Sequence, residues 1–182
     1  MIKINLSLYN NSSYFFGNSI KKIIWYFTNI LFLKTMLPFP PSFKIYLLKL
    51  FGANLGKSIV IKPNVNIKYP WFLEIGDNCW IGEGVWIDNL AKVIIGNNVC
   101  LSQESYLLTG SHNYKKKSFD LILGEIILED GVWIGAKAIV CPNVICKTHS
   151  VLAVGSVANY NLLPYRIYQG NPAKFKRKRE IK

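Results

Sequence analysis

Aliphatic side chains recur every six residues along most of this 182-residue chain, and few folds tolerate that spacing. They stand at Leu55, Ile61 and Ile67, then Ile75, Ile81 and Ile87, then Ile95, Leu101 and Leu107. After a gap they resume at Leu128, Ile134, Val140, Cys146 and Leu152. The residue two places earlier is nearly always small or β-branched, as at Ala53, Ile59, Val65, Cys79, Val85, Val99, Val132, Ala138 and Ser150. Residues i and i−2 share one face of a strand, because side chains alternate with period two. Each hexapeptide therefore supplies a short strand with two inward side chains, followed by a turn rich in Gly, Asn and Asp. Ile67 to Ile75 and Ile87 to Ile95 are eight apart instead of six, one extension per three hexapeptides. That is the signature of a three-sided coil widened at one corner, with coils starting near residues 55, 75, 95, 128 and 146. A sandwich of short strands would not hold one six-residue phase for so long. The expected fold is all-β, a parallel β-helix of about five coils.

The chain divides accordingly. Residues 1–52 form an N-terminal helical cap segment, 53–159 the repeat body, and 160–182 a basic tail in which strands have ended, after Leu152. Ser42 is placed to cap a helix running to Phe51 and stopped by Gly52. Residues 20–36 read as a second helix, and Pro38, Pro40 and Pro41 separate the two. Both carry Lys beside bulky apolar groups. One reading is a lid over the open first coil, which hides its strand edge. The other is an interfacial helix resting on an anionic membrane, and the two are compatible. No run reaches the ~20 apolar residues that a bilayer-crossing helix needs.

Charge sharpens this division. Lys and Arg number 22 against 10 acids, a net of +12. Residues 1–73 hold nine Lys and no acid, residues 74–173 are net −2, and residues 174–182 are net +5. The two ends carry the excess, unlike a uniformly basic nucleic-acid-binding domain, and no interleaved basic and aromatic motif or recognition helix is visible. Cys79, Cys100, Cys141 and Cys146 form no C-x-x-C pair. With no cleavable leader in view, reduced thiols and the cytoplasm, with contact to the inner face of its membrane, are the expectation.

Residues 108–125 break the hexapeptide phase, the kind of excursion that carries function on a repetitive scaffold. It opens with Thr109-Gly110-Ser111-His112-Asn113-Tyr114 and holds Lys115, Lys116 and Lys117. His112 stands out because imidazole both accepts and releases a proton near neutral pH. The other histidine, His149, lies within the repeat phase at a turn and reads as structural.

The repeat resembles the hexapeptide-repeat acyltransferases, and within them the colanic-acid-biosynthesis acetyltransferases. The stretches that carry the resemblance are WYFTN (25–29), VNIKYPWFLEIGDN (65–78), WIDNLAKVIIGNNVCLSQ (86–103), LLTGSHNYKKKSFDLI (107–122), DGVWIGAKAIVCPNV (130–144) and YQGNPAKFKRKR (168–179). The resemblance implies a left-handed coil, against the right-handed rule for ordinary parallel crossovers. It also implies acetyl-CoA as acyl donor, no metal, and a homotrimer with active sites between subunits. The acceptor would be a sugar or lipid-linked oligosaccharide hydroxyl in surface-polysaccharide synthesis.

By the same resemblance His112 is the general base. Asp88 and Asn89, on a widened corner one coil earlier, would face the acceptor, with Asn113 and Tyr114 beside them. The pantetheine arm would lie along Gly135 and Ala136 and along Ala153, Val154 and Gly155. Lys174 and Arg177, in and after the motif Gly170-Asn171-Pro172-Ala173-Lys174, would approach the nucleotide phosphates. One departure is Asn159-Tyr160, where many relatives carry Thr-Lys. The γ-type carbonic anhydrases share the fold but need three His ligands, and this chain has two. A non-catalytic scaffold or binding module is the remaining alternative.

Overall fold

A computed structural model describes residues 3–182. The hexapeptides wind into a solenoid with three parallel sheets. The first sheet stacks Asn54–Leu55, Leu73–Ile75, Val93–Ile95, Ile126–Leu128 and Ile145–Cys146. The second stacks Val60–Ile61, Trp80–Ile81, Cys100–Leu101, Trp133–Ile134, Val151–Leu152 and Arg166–Gln169. The third stacks Asn66–Ile67, Trp86–Asp88, Tyr106–Leu108, Ile139–Val140 and Val157–Ala158. Registers pair equivalent repeat positions, Ile61 with Ile81 with Leu101 with Ile134 with Leu152. The core is the set read from the sequence: both inward residues of each hexapeptide are buried, Ser105 and Ser150 included.

Corners need one residue with positive φ per tight turn, which costs Asn and Gly least. Asn64 (φ 56), Asn78 (φ 58), Asn98 (φ 55) and Gly131 (φ 68) occupy such places. A side-chain ladder ties one corner vertically. Asp77 accepts from Lys57 N (2.7 Å), Asn97 from Asp77 N (2.8 Å), and Asp130 from Asn97 N (2.7 Å).

The strands do not end at Leu152, and the tail is structured. Val157–Ala158 completes the fifth coil, and a bridge from Cys146 to Leu162 starts a sixth. Arg166–Gln169 extends the second sheet. The chain then reverses through Gly170 (φ +104) and the cis Asn171-Pro172 bond, and Lys174–Lys178 pairs antiparallel with Arg166–Gln169. Six turns replace the expected five because the last one varies the spacing and loses the aliphatic signal.

At the other end, α1 (Ser19–Thr28) runs into a π-helical turn, Asn29–Leu33, and α2 spans Pro41–Leu50. The helix expected over 20–36 is therefore shorter and changes pitch. Ser42 does not cap α2: Pro40 is the N-cap and makes no side-chain cap bond, and Pro41 takes a first-turn place, where a missing N–H is harmless. Gly52 is the stop, with its N donating to Lys49 O (2.9 Å) and Ala53 N to Leu48 O (3.0 Å).

The helices pack against the first coil. Trp25 Nε1 donates to Ile67 O (2.9 Å), and Asn29 Nδ2 to Asn66 Oδ1 (2.7 Å). The Lys44 ammonium, fully buried, donates to Lys62 O (2.9 Å) and Ile61 O (3.4 Å). Burial pushes its pKa down.

Candidate active site

The excursion leaves the third sheet after Leu108 and is rooted by Thr109, which is fully buried. Its hydroxyl donates to Asp88 O (2.7 Å) and accepts from Ala91 N (3.1 Å). The chain then forms a small antiparallel hairpin, Gly110–His112 against Leu121–Leu123, with His112 opposite Leu121. His112 is exposed. Its ring stacks on Phe119 (centroids 4.5 Å apart, planes 9° apart), and Nδ1 lies 3.0 Å from Phe119 O. A carbonyl only accepts, so this contact assigns the proton to Nδ1 and leaves the lone pair on Nε2. That tautomer is the one a general base needs. Phe119 itself sits at φ +52. Nothing in the sequence marked Phe119, because an orienting carbonyl has no residue signature.

Of the residues expected near the acceptor, Asp88 lies one coil below Leu108 in register. Its carboxylate pairs with Lys68 Nζ (2.9 Å) and accepts from the Tyr106 hydroxyl (3.3 Å). Burial, then the Asp88 charge, push the Tyr106 pKa up, so the phenol stays a donor. Tyr106 also stacks on Trp86 (4.6 Å, 12°). Asn89 does not face a ligand. It is fully buried, with Oδ1 accepting from Tyr69 N (2.9 Å) and Nδ2 donating to Tyr69 O (2.6 Å), so its amide clamps the preceding coil. Asn113 and Tyr114 occupy the hairpin turn beyond His112. The Asn113 side chain accepts from Lys115 N (3.2 Å), a local turn contact, while Tyr114 is 72% exposed.

The residues expected along the cofactor come together at another corner, between the second and third sheets. Gly135 and Ala136 turn directly beneath Ala153, Val154 and Gly155, with Gly135 N donating to Leu152 O (2.7 Å) and Gly155 N to Ala136 O (2.8 Å). A Cβ on Gly135 would meet Val154 N at 2.6 Å, so only glycine lets these storeys stack. Gly155 (φ +64) is the reverse case, needed for its backbone angle while facing open space. The exposed Val154 leaves an apolar edge.

The turn at Gly170 forms the next storey, with Gly170 N donating to Ser156 Oγ (3.0 Å) and Val157 N to Gly170 O (2.9 Å). Lys174 therefore begins at this corner. Arg177 is carried three residues back across the second sheet, roughly 10 Å at strand rise, opposite Ile167. The strand direction separates the two cations that the sequence grouped. Tyr160 is spent on donating to Ala173 O. Arg179, which the sequence did not single out, anchors the returning strand through Gly131 O (2.8 Å) and His149 O (3.3 Å). His149 (φ +55) stacks on Tyr165 (4.8 Å, 2°), far along the coil from the hairpin.

The four cysteines are free, and Cys79 and Cys146 point into the core, where burial raises both thiol pKa values.

No family model matches the chain. WcaF of Escherichia coli K12, assigned by name to colanic acid biosynthesis as an acetyltransferase, is 34% identical over 161 residues, 86% of each chain. Galactoside O-acetyltransferase of the same organism is 27% identical over 131 residues, 70% of this chain and 64% of its own. A Vibrio cholerae hexapeptide-repeat acetyltransferase solved with acetyl-CoA superimposes with a TM-score of 0.73 at 25% identity, covering 80% of this chain and 81% of its own. The left-handed β-helix is thus the fold these proteins share. With about a third of the aligned residues identical across 86% of WcaF, the chain belongs to the hexapeptide-repeat acetyltransferase family.

Proposed function

We propose that this protein moves the acetyl group of acetyl-CoA to a sugar hydroxyl during synthesis of a surface polysaccharide, with His112 as general base. The observation that carries the reading is the Nδ1 contact with Phe119 O, which gives the neutral ring the tautomer with its lone pair on Nε2, exposed on the hairpin where the coil opens. Nε2 takes the acceptor's proton as the hydroxyl oxygen attacks the thioester carbonyl. The C–S bond breaks, and the thiolate leaves with the proton returned from the imidazolium. The products are an O-acetyl sugar and free CoA.

The Gly135–Gly155 corner offers a straight backbone edge for the pantetheine arm, and Lys174 a cation for phosphate. Within one chain this edge and the His112 hairpin flank opposite sides of the third sheet, with Trp86 and Tyr106 between. That separation favours a site completed by a second subunit, and hence a homotrimer. Asp88, held by Lys68 and Tyr106 beside the hairpin root, is the residue placed to orient the acceptor.

The names of WcaF and of the galactoside enzyme support the sugar class. No described helix is long and apolar enough to cross a membrane. A lipid-linked oligosaccharide acceptor would bring the enzyme to the inner face of the cytoplasmic membrane.

The test is thiol release from acetyl-CoA across a panel of glycosides and nucleotide sugars, with calorimetry for CoA. Release that depends on both a sugar and His112 is expected. Absence of CoA binding would overturn the acyltransferase reading altogether.

A further inference from the structure

Helix α1 packs on the coil by one face and leaves a second, apolar face turned outward. Trp25 and Asn29 are buried against the coil, and Lys21 and Lys22 lie half-buried on the same side. The face turned away carries Ile20, Ile23, Ile24, Phe27, Ile30 and Leu31, spaced as one helical stripe, with Ile20 68%, Ile23 59% and Leu31 57% exposed. Phe15, Met36 and Leu37, in the segments leading into and out of this helix, are exposed as well. An apolar stripe of this size on a monomer marks a contact surface.

The surrounding charge says what kind of contact. Residues 1–73 hold nine Lys and no acid. Among the described residues only Lys68 of these pairs with a carboxylate, and Lys34, the residue after the π-helical turn, and Lys49, at the end of α2, are exposed. A second copy of this chain has little to offer them, since among the described residues only Glu83, Glu125 and Glu180 of its ten acids have neither an ion pair nor a backbone amide. Asp88, Glu74, Asp120, Glu104 and Glu129 are each paired with a lysine of their own chain. Asp77 and Asp130 are spent on backbone amides.

We propose that the outward face of α1 and its π-helical turn is a docking surface for anionic lipid, which sets the apolar stripe into the bilayer interface and the lysines against the headgroups. The helical run Ser19–Leu33 is roughly 22 Å long at 1.5 Å per residue, short of a bilayer's thickness, so it lies in the plane of the interface. A groove of about 470 Å³ opens between α1 and the third sheet, lined in part by Lys22, Lys34, Lys68 and Trp86. It brings the docked face to the Lys68–Asp88 pair. The inference rests on the acceptor reading above for its purpose, not for its test.

The test is flotation of the full chain with phosphatidylcholine vesicles, with and without phosphatidylglycerol. Binding only to the mixed vesicles, weakened by salt, is expected. Ile24→Asp with Leu31→Asp should lower partitioning at least about tenfold, and Lys34→Gln or Lys49→Gln about fivefold each. The lysine variants keep the test open if the aspartates unfold the helix, which circular dichroism reports. Binding to neither vesicle, or equally to both, overturns the proposal. So does an Ile24→Asp variant that still floats but changes the assembly's mass in light scattering, which would make the face a subunit contact. Vesicle binding with no transfer to any sugar would sustain the docking surface and overturn the function reading instead.

Discussion

Two corners of one solenoid, built from the same hexapeptides, do opposite things with their side chains. The corner between the third and first sheets is widened, by two residues in two coils and by the 108–125 excursion in the next. Its extra residues turn polar groups inward, where Asn89 and Thr109 stitch neighbouring coils, and outward, where His112 projects on a hairpin. The corner between the second and third sheets keeps strict period six. At Gly135-Ala136 and Ala153-Val154-Gly155 the small residues stack tightly and present backbone in even storeys, with Val154 and Lys137 turned outward. On a repetitive scaffold, broken phase frees side chains for chemistry, and kept phase yields a regular edge along which an extended ligand can lie.

The comparison predicts its largest effect at the widened corner. His112→Ala should lower kcat/KM by roughly 3 to 5 kcal/mol, the loss of 10²–10⁴-fold general-base catalysis, read by thiol release. The melting temperature should hardly move, since the ring is exposed. Asn89→Leu should do the reverse. It leaves the Tyr69 N–H without a partner and removes one of two donors from the Tyr69 C=O, which keeps Phe72 N, and should cost about 2 kcal/mol of stability in denaturant unfolding. If Asn89→Leu instead kept its stability and raised the KM for the acceptor, the corner would be a binding site throughout, and the division drawn here between stitching and chemistry would fail.

At the tight corner the effects are smaller. Gly135→Ala places a Cβ 2.6 Å from Val154 N and should cost about 2 kcal/mol through overpacking. Gly155→Ala meets nothing within 4 Å and should cost about 1 kcal/mol, for its φ of +64 alone. Thermal melts of the pair separate crowding from backbone strain. Lys174→Ala should raise the KM for acetyl-CoA about fivefold, a value of ~1 kcal/mol for an exposed charge contact. Arg177→Ala should do less, because the returning strand carries it away from the corner. Equal effects of the two would mean that the nucleotide lies across the second sheet.

The coil was readable because its signal is periodic. Every inward residue from Ala53 to Leu152 could be assigned by counting, and burial follows that count. The sixth turn was not, since the step from Leu152 to Leu162 and Tyr168 breaks the six-residue phase. Its hairpin depends on Tyr160, Ser156 and Arg179 reaching backbone atoms far along the chain. His112 was legible from its type and its place in the excursion. Phe119 was not, because it acts through a carbonyl oxygen. Asn89 was misjudged for a related reason: a turn Asn and a buried clamp look alike until the neighbouring coil is in place. Lys174 and Arg177 were grouped because sequence distance does not reveal strand reversal.

The smallest effect tests how the widened corner holds its hairpin. Asp120 sits across the turn from Lys116, at 3.1 Å. The Ser118 hydroxyl, followed by the Lys116 ammonium, keeps its carboxyl below the usual carboxylate range. A carboxyl depressed in the folded state contributes ordering that is fully present above its ordinary pKa and is lost as pH falls through the depressed value. The hairpin should therefore keep its order from neutral pH down to about pH 4 and loosen below that. Amide exchange across residues 113–119 is the measurement, compared between the native chain and Asp120→Asn. The variant should exchange slightly faster at pH 7 and in low salt, and the gap should close in acid and in high salt, where the native charge is protonated or screened. The tight corner supplies the control: its Lys137–Glu104 ion pair is common to both proteins and does not involve Asp120, so its exchange should not differ between them at any pH.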